Sequence, residues 1–349
     1  MFATYLLRKS NSYINFCSLE VLKVWVLAIS KSMDDILLSV VCTAYNHEKY
    51  IRDALEGFVS QKTNFKYEVL VHDDASTDNT ASIIKEYEHR YPEIIKPIYQ
   101  QVNQYSKGVR IINDVLVPRA KGKYLAFCEG DDYWCDCNKL QKQVDVLESS
   151  QNYVACVHNT NFLYMTSNNE IIKYPTIDRI LKLDDCVMCG SQSFHTSSLV
   201  VRKSVYQNKP SFTFSVEGVG DYPNSIYYSL CGSIYYIADV MSVYRVGTES
   251  SWTKKNERDI PKQIKTVFQV IEMLKQADQY SGYHYHQLFE VALSKKDYLL
   301  LIIKKEYRAA IKNDNFKSDS IRNKIKIILY ATFPFLPSWK DRLWKIKKK

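Results

Sequence analysis

From residue 36 to about residue 150, short apolar runs alternate with segments of helical periodicity, and this alternation restricts the fold more than any other feature of the chain. Residues 36–42 are apolar except for Ser39, as suits a strand covered on both faces, and Tyr50, Ala54, Leu55 and Phe58 then recur at helical spacing. Strand-like runs return at 67–71, 96–100 and 123–128. Between and after them, Ile83, Ile84, Tyr87 and Tyr91 mark a helix opened by the cap-rich STDNT and closed by Pro92, 111–116 a second, and Leu140, Val144 and Leu147 a third. The pattern predicts an α/β fold, a doubly wound, mostly parallel sheet with helices on both faces, whose ligands gather beyond the carboxyl ends of the strands. After residue 150 it loosens. Strands are expected at 153–158 and 199–201, with a polar surface excursion at 166–173 between them. Beyond Ile260 the chain turns helical, with Ile264, Val267, Phe268, Ile271 and Leu274 on one stripe and an apolar run at 298–303.

The expected organisation is an N-terminal extension (1–32), an α/β body (33–255), a C-terminal helical region (256–322) and a basic amphipathic tail (323–349). Met33, just ahead of the first strand, is the expected natural start, because the apolar stretch 19–29 is interrupted by Glu20 and Lys23 and is too short to span a membrane. The chain's net charge is +9, but residues 323–349 hold eight Lys/Arg against one Asp, so the rest is close to neutral. That distribution argues against a nucleic-acid-binding body and for a local anionic partner. In the tail, Phe333, Phe335, Trp339 and Trp344 interleave with lysines, as in segments that lie on an anionic bilayer. The nine unevenly spaced cysteines do not form a disulfide framework, and Cys135/Cys137 with Cys186/Cys189 are a poor match to zinc spacing.

Acids follow the strands. Asp73 and Asp74 come after the second, Glu129, Asp131 and Asp132 after the fourth, and Asp221 stands in GVGDYP. Two carboxylates at i and i+2 on a turn, such as Glu129 and Asp131, can hold one divalent cation, and Gly130 would let the backbone approach a phosphate. Tyr133 and Trp134 follow at once, and large aromatics beside an acidic turn suggest a site wall.

The strings VVCTAYNHEKYIRDALEGFVSQ, VHDDASTDNT, AKGKYLAFCEGDDYW and KLQKQVDVL resemble, in order, the family 2 glycosyltransferases of GT-A fold, in particular the bacterial branch that builds cell-surface polysaccharides. The resemblance spans roughly residues 36–250. It implies that 33–255 is a GT-A catalytic domain for an inverting, metal-dependent hexosyltransferase. The donor would be a nucleoside diphosphate sugar, expected to be a uridine one, and the acceptor a saccharide or lipid-linked saccharide. Its site residues carry over as follows. Ala44, Tyr45 and Asn46 would contact base and ribose, and Asp74 would pair with the base, leaving Asp73 to cap the turn. Glu129 and Asp131 stand at the DxD motif that binds ribose and Mn2+ or Mg2+, with Glu129 a departure from Asp, and Gly130 between them. Asp221 stands at the catalytic base, with Gly220 where Glu is commoner. His195, Thr196 and Ser197, with Trp134, would line the acceptor side, and Arg245 would lie on a flexible loop near the diphosphate. Such an enzyme is expected in the cytoplasm, peripheral on the inner face of the cell membrane.

Two other classes compete. A nucleotidyltransferase shares alternation and paired acids but needs a Gly-rich basic loop after the first strand, and TAYNHEKY is not one. A non-catalytic nucleotide-sugar-binding homologue would keep the acidic turn and dispense with the base.

Overall fold

The computed structural model describes residues 35–167, 169–248 and 259–333. The N-terminal extension, the 255/256 boundary and most of the basic tail lie outside the described residues. Ordered along the chain are β1 (Ile36–Ala44), α1 (Ile51–Val59), β2 (Lys66–Asp73), α2 (Thr80–Arg90), β3 (Ile95–Tyr99), β4 (Tyr124–Phe127), β5 (Tyr133–Trp134) and α3 (Lys139–Ser149). Then follow β6 (Tyr153–Tyr164), β7 (Asn169–Ile172), β8 (Arg179–Leu181), α4 (Leu183–Cys189), β9 (Val200–Arg202), α5 (Lys203–Gln207), α6 (Asp221–Cys231) and β10 (Ser233–Val246). The C-terminal helices are α7 (Ile260–Tyr280), α8 (His286–Ile303), α9 (Tyr307–Lys312), α10 (Asn315–Ser318) and α11 (Ile321–Thr332).

The first half follows the sequence pattern closely. β1, β2 and β3 pair in parallel, and β4 joins β1 in parallel on the other side. The central strands are buried on both faces, so their residues read as unbroken apolar runs. The segment 111–116 is one wide π-type turn, with Ile111 and Leu116 buried beneath the sheet.

The second half makes the sheet mixed rather than mostly parallel. Its order is β3-β2-β1-β4-β9-β6-β10-β5, and the three-residue β9 enters antiparallel to both β4 and β6. β6 is twelve residues long, twice the expected run, and pairs in parallel with the fourteen-residue β10 through two register shifts between Ile237 and Ser242. Each shift bends a strand and re-aims the side chains beyond it. The expected excursion at 166–173 contains β7, an antiparallel partner of β6 whose four residues are all exposed. Residues 298–303 are the end of α8, and α11 begins two residues ahead of the expected tail, packed on the body through the buried Ile327.

Candidate active site

The carboxyl ends of β1 and β2 lie side by side, with Ala44 opposite Asp73. The loop after β1 is stitched to the loop after β2. Asn46, at a left-handed φ of 55°, accepts the Thr77 N–H at 2.8 Å and donates its own N–H to Ser76 Oγ at 2.9 Å. The His47 N–H goes to Thr80 Oγ1 at 2.8 Å and the Glu48 N–H to Asp78 Oδ2 at 3.0 Å. Tyr45 stands out from this platform, 41% exposed. The two neighbouring acids differ from expectation. Asp74 accepts the Gln104 and Tyr105 N–H groups at 2.7 and 3.0 Å, so its carboxylate caps the next loop. Asp73 is buried with Oδ1 lacking any hydrogen-bond partner, so the structure turns Asp73, not Asp74, into the acid with an unanswered oxygen.

Past β4, the Gly130 N–H donates to the Thr43 carbonyl at 2.9 Å and the Asp132 N–H to the Glu129 carbonyl at 3.1 Å, which folds the acidic turn against β1. Gly130 has a packing reason of its own. A Cβ there would stand 2.9 Å from both His47 Nδ1 and Ile51 Cδ1 and 3.2 Å from Ala44 Cβ. Arg245 grips the same turn from β10. Its backbone N–H donates to Asp132 Oδ1 at 3.0 Å and its guanidinium to the Asp131 carbonyl at 2.9 Å. The guanidinium also pairs with the Asp53 carboxylate on α1 and lies over the rings of Tyr133 and Tyr50, at 4.5 and 5.2 Å from their centroids. Arg245 is thus a nearly buried strand residue, not the loop residue expected beside a diphosphate. Three residues on, Thr248 Oγ1 donates to Asp131 Oδ2 at 3.1 Å.

Asp221 is the first residue of α6, and its Oδ1 accepts the Tyr222 N–H at 2.9 Å. It stands close enough to raise the proton affinities of both Glu129 and Tyr174. The Glu129 side chain is open to solvent. Desolvation first, then the charges of Asp131 and Asp221, push its carboxyl from 4.5 up to about 7. Asp132 is raised well above the carboxylate range by burial, Asp131 and Glu129, against the pull of Arg245. Glu129 and Asp132 thus each feel the negative charge of neighbouring acids. Glu129 and Asp131 offer hard oxygen donors two residues apart, which suits Mg2+ or Mn2+. Among the described residues no three His, Cys, Asp or Glu side chains group around one point, so an ion here would complete its shell with ligand oxygens or water.

A pH effect follows. The folded protein holds the Glu129 proton to about pH 7, whereas the unfolded chain releases it near 4.5. Stability contributed by this group is complete below that lower value and declines as pH rises through about 7. In EDTA, Glu129→Gln should remove that decline, melting a few degrees above the parent at about pH 8 and together with it at about pH 4. Scanning fluorimetry across this range reads the difference, and a slope unchanged by the substitution would mean that the acid ionises without penalty.

The residues expected on the acceptor side divide. His195 lies stacked on Tyr244 at 4.1 Å, its Nε2 3.9 Å from Asp132 Oδ2 and its Nδ1 2.8 Å from Ser197 Oγ. Burial lowers its pKa to about 3, so it is a neutral imidazole. Thr196 is half-buried beside it, whereas Ser197 is buried and joined to Ser242 Oγ at 2.9 Å, which in turn meets Thr160 Oγ1 at 3.1 Å. Trp134 is a core residue. Its Nε1 donates to the Ser197 carbonyl at 2.9 Å, its ring meets Phe58 edge-on at 4.8 Å, and the buried Lys139 Nζ sits 4.0 Å over it. Asp53, Thr248, His47 and Ser242 join the site without any sequence signal that singles them out.

This architecture, a mixed sheet with the acidic turn at the end of β4, is that of the GT-A glycosyltransferases. Residues 1–349 of Staphylococcus aureus TarS in complex with UDP-GlcNAc align with a TM-score of 0.54, 16% identity, and 83% of this chain and 78% of that one covered. The mannosyltransferase PcManGT from Pyrobaculum calidifontis, with GDP-Man and Mn2+, aligns at 0.52, 16% identity, 93% and 90%. Residues 39–207 match the family model described as Glycosyl transferase family 2. Among curated relatives, Rv1520 of Mycobacterium tuberculosis is 35% identical over 216 residues, 62% of this chain and 60% of that protein. WfgD of Escherichia coli, a UDP-Glc:alpha-D-GlcNAc-diphosphoundecaprenol beta-1,3-glucosyltransferase, is 30% identical over 145 residues, 42% and 50%. The chain thus spans about half to three fifths of the length of these relatives.

Proposed function

We propose that this protein transfers a sugar, with inversion, from a nucleoside diphosphate sugar to a saccharide or lipid-linked saccharide in surface polysaccharide synthesis. The observation that supports the reading is that Asp131 and Asp221, from two separate elements, both lie near enough to Glu129 to raise its carboxyl's proton affinity. The Asn46 platform and the unanswered Asp73 oxygen suit a nucleoside, with Asp73 in place of Asp74 taking an N–H of the base. A uridine donor is the favoured one, in keeping with the UDP-GlcNAc and UDP-Glc named for TarS and WfgD.

Asp131 and Glu129 would hold a divalent cation, Mn2+ or Mg2+, which when bound offsets charge on the departing diphosphate. Arg245 and Thr248 keep the Asp131 backbone and carboxylate in place. Asp221 accepts the proton of the attacking acceptor hydroxyl, on the face of the sugar opposite the leaving group. His195 and Thr196 border the acceptor side as neutral hydrogen-bonding groups. No helix among the described residues is long and apolar enough to cross a membrane. The basic, Trp-containing sequence 323–349 suits contact with an anionic membrane surface, from the cytoplasmic side, where lipid-linked acceptors would be met.

A thermal-shift panel of UDP-, GDP- and dTDP-sugars, with and without Mn2+, tests the reading. At least one is expected to raise the melting temperature, and more so with the metal, because a ligand that binds only the folded state stabilises it. Indifference to every member of the panel would overturn the proposal.

A further inference from the structure

α11 carries two apolar faces, and among the described residues only one of them is packed against protein. Ile327 is buried in a small cluster with Tyr298 and Ala310, and Tyr330 meets Tyr307 with ring centroids 5.3 Å apart, which fixes the helix on α8 and α9. On the opposite side Ile321, Ile325, Ile328 and Leu329 recur at i, i+4, i+7 and i+8 and are 77, 55, 47 and 44% exposed. At 100° per residue these four occupy one continuous stripe. Arg322 and Lys326, both exposed, flank it on one side, and Lys324 on the other. The helix is held firmly by its inner face, and capped by Ser320 Oγ accepting the Asn323 N–H, while its outer face is the kind of surface a soluble helix normally buries.

We infer that this outward stripe is a bilayer-docking face, seated in the headgroup layer of an anionic membrane with Arg322, Lys324 and Lys326 against lipid phosphates. A helix with an apolar stripe edged by cations lies in the plane of such an interface. A second copy of the chain is a poorer occupant, because two copies meeting on this stripe would bring their cationic edges together. The sequence that follows the helix, 334–349, holds six Lys/Arg and two Trp with a single Asp. The inference rests on the membrane-surface part of the function proposed above and moves the seat of binding from the end of the tail, 334–349, to the helix in which the tail begins. A rigid seat of this kind fixes the orientation of the body relative to the bilayer, which a tether alone does not.

Flotation of the full chain on vesicles of phosphatidylcholine with and without phosphatidylglycerol tests it. The parent should float only with the anionic vesicles. The double variant Ile325→Ser, Ile328→Ser, which alters exposed positions alone and should keep the parent's circular dichroism, is expected to lose roughly tenfold or more of that partitioning although residues 334–349 are unchanged. A chain ending at Phe333 should keep part of the binding. Full flotation of the double variant, with loss only in the shortened chain, would overturn the inference and leave the membrane reading standing. A parent that fails to float would overturn both. A parent that is dimeric in gel filtration, and a double variant that is monomeric, would assign the stripe to a second copy and overturn the lipid assignment.

Discussion

Replacing Asp221 with Asn is expected to lower glycosyl transfer about a thousandfold while nucleotide binding stays within a factor of a few, general-base contributions being ~10²–10⁴-fold. Asp221 opens α6, where a carboxylate is favoured by the helix terminus, and it lies near enough to Glu129 to raise that carboxyl's proton affinity. Asn has the same shape and can still accept the Tyr222 N–H, so the fold and the donor pocket should persist. What Asn lacks is basicity, since a neutral amide does not take the proton of an attacking hydroxyl. Initial rates of nucleoside diphosphate release with acceptor present, set beside calorimetric donor affinity, separate the two effects. Unchanged turnover would remove Asp221 from the mechanism, and a collapse of binding along with turnover would make it a donor-binding group.

Changing Arg245 to Lys should also be damaging, for a different reason. The planar guanidinium reaches the Asp53 carboxylate and the Asp131 carbonyl together while lying against Tyr133 and Tyr50. An ammonium is a single point of charge with no flat face, so it cannot make this set at once. The Lys variant is expected to lose about 2–4 kcal/mol of stability, because the pair is nearly buried on the arginine side and half-open on the aspartate side. Slackening of the turn at Asp131 should further weaken Mn2+ affinity and cut kcat/KM for the donor by roughly 10–100-fold. Manganese titration followed by EPR, with denaturant unfolding in parallel, reads both. Asp53→Asn should reproduce much of the loss, and the double variant should fall short of the sum, as expected for residues in one network. Parent-like metal affinity in the Lys variant would show that the acidic turn holds its shape without β10.

The acidic turn and the two first loops were legible in the sequence because their signals are local. A strand buried on both faces must be apolar throughout, and the polar residues that end it mark the crevice side, so Asp73, Glu129 and Asp131 could be placed from the runs before them. β10 was not, because SIYYIADVMSVYRV mixes polar and apolar residues across its register shifts and has no single period. α6 was missed because DYPNSIYYSLC is rich in Tyr and Ser, which pack here through Tyr222, Tyr227 and Tyr228 rather than through an aliphatic stripe.

Composition and local pattern by themselves determined the parallel half of the sheet, the position of the acids at its carboxyl edge and the concentration of basic charge at the chain's end, since each depends on residues close together in the sequence. Tertiary structure alone decided which acids are engaged and which are left open. The pairing of Arg245 with Asp53 joins residues 192 apart, and the capping of loop 104–105 by Asp74 joins residues 30 and 31 apart. A carboxylate's partners, and with them its proton affinity and its availability to a ligand, depend on distances across space that no local spacing encodes.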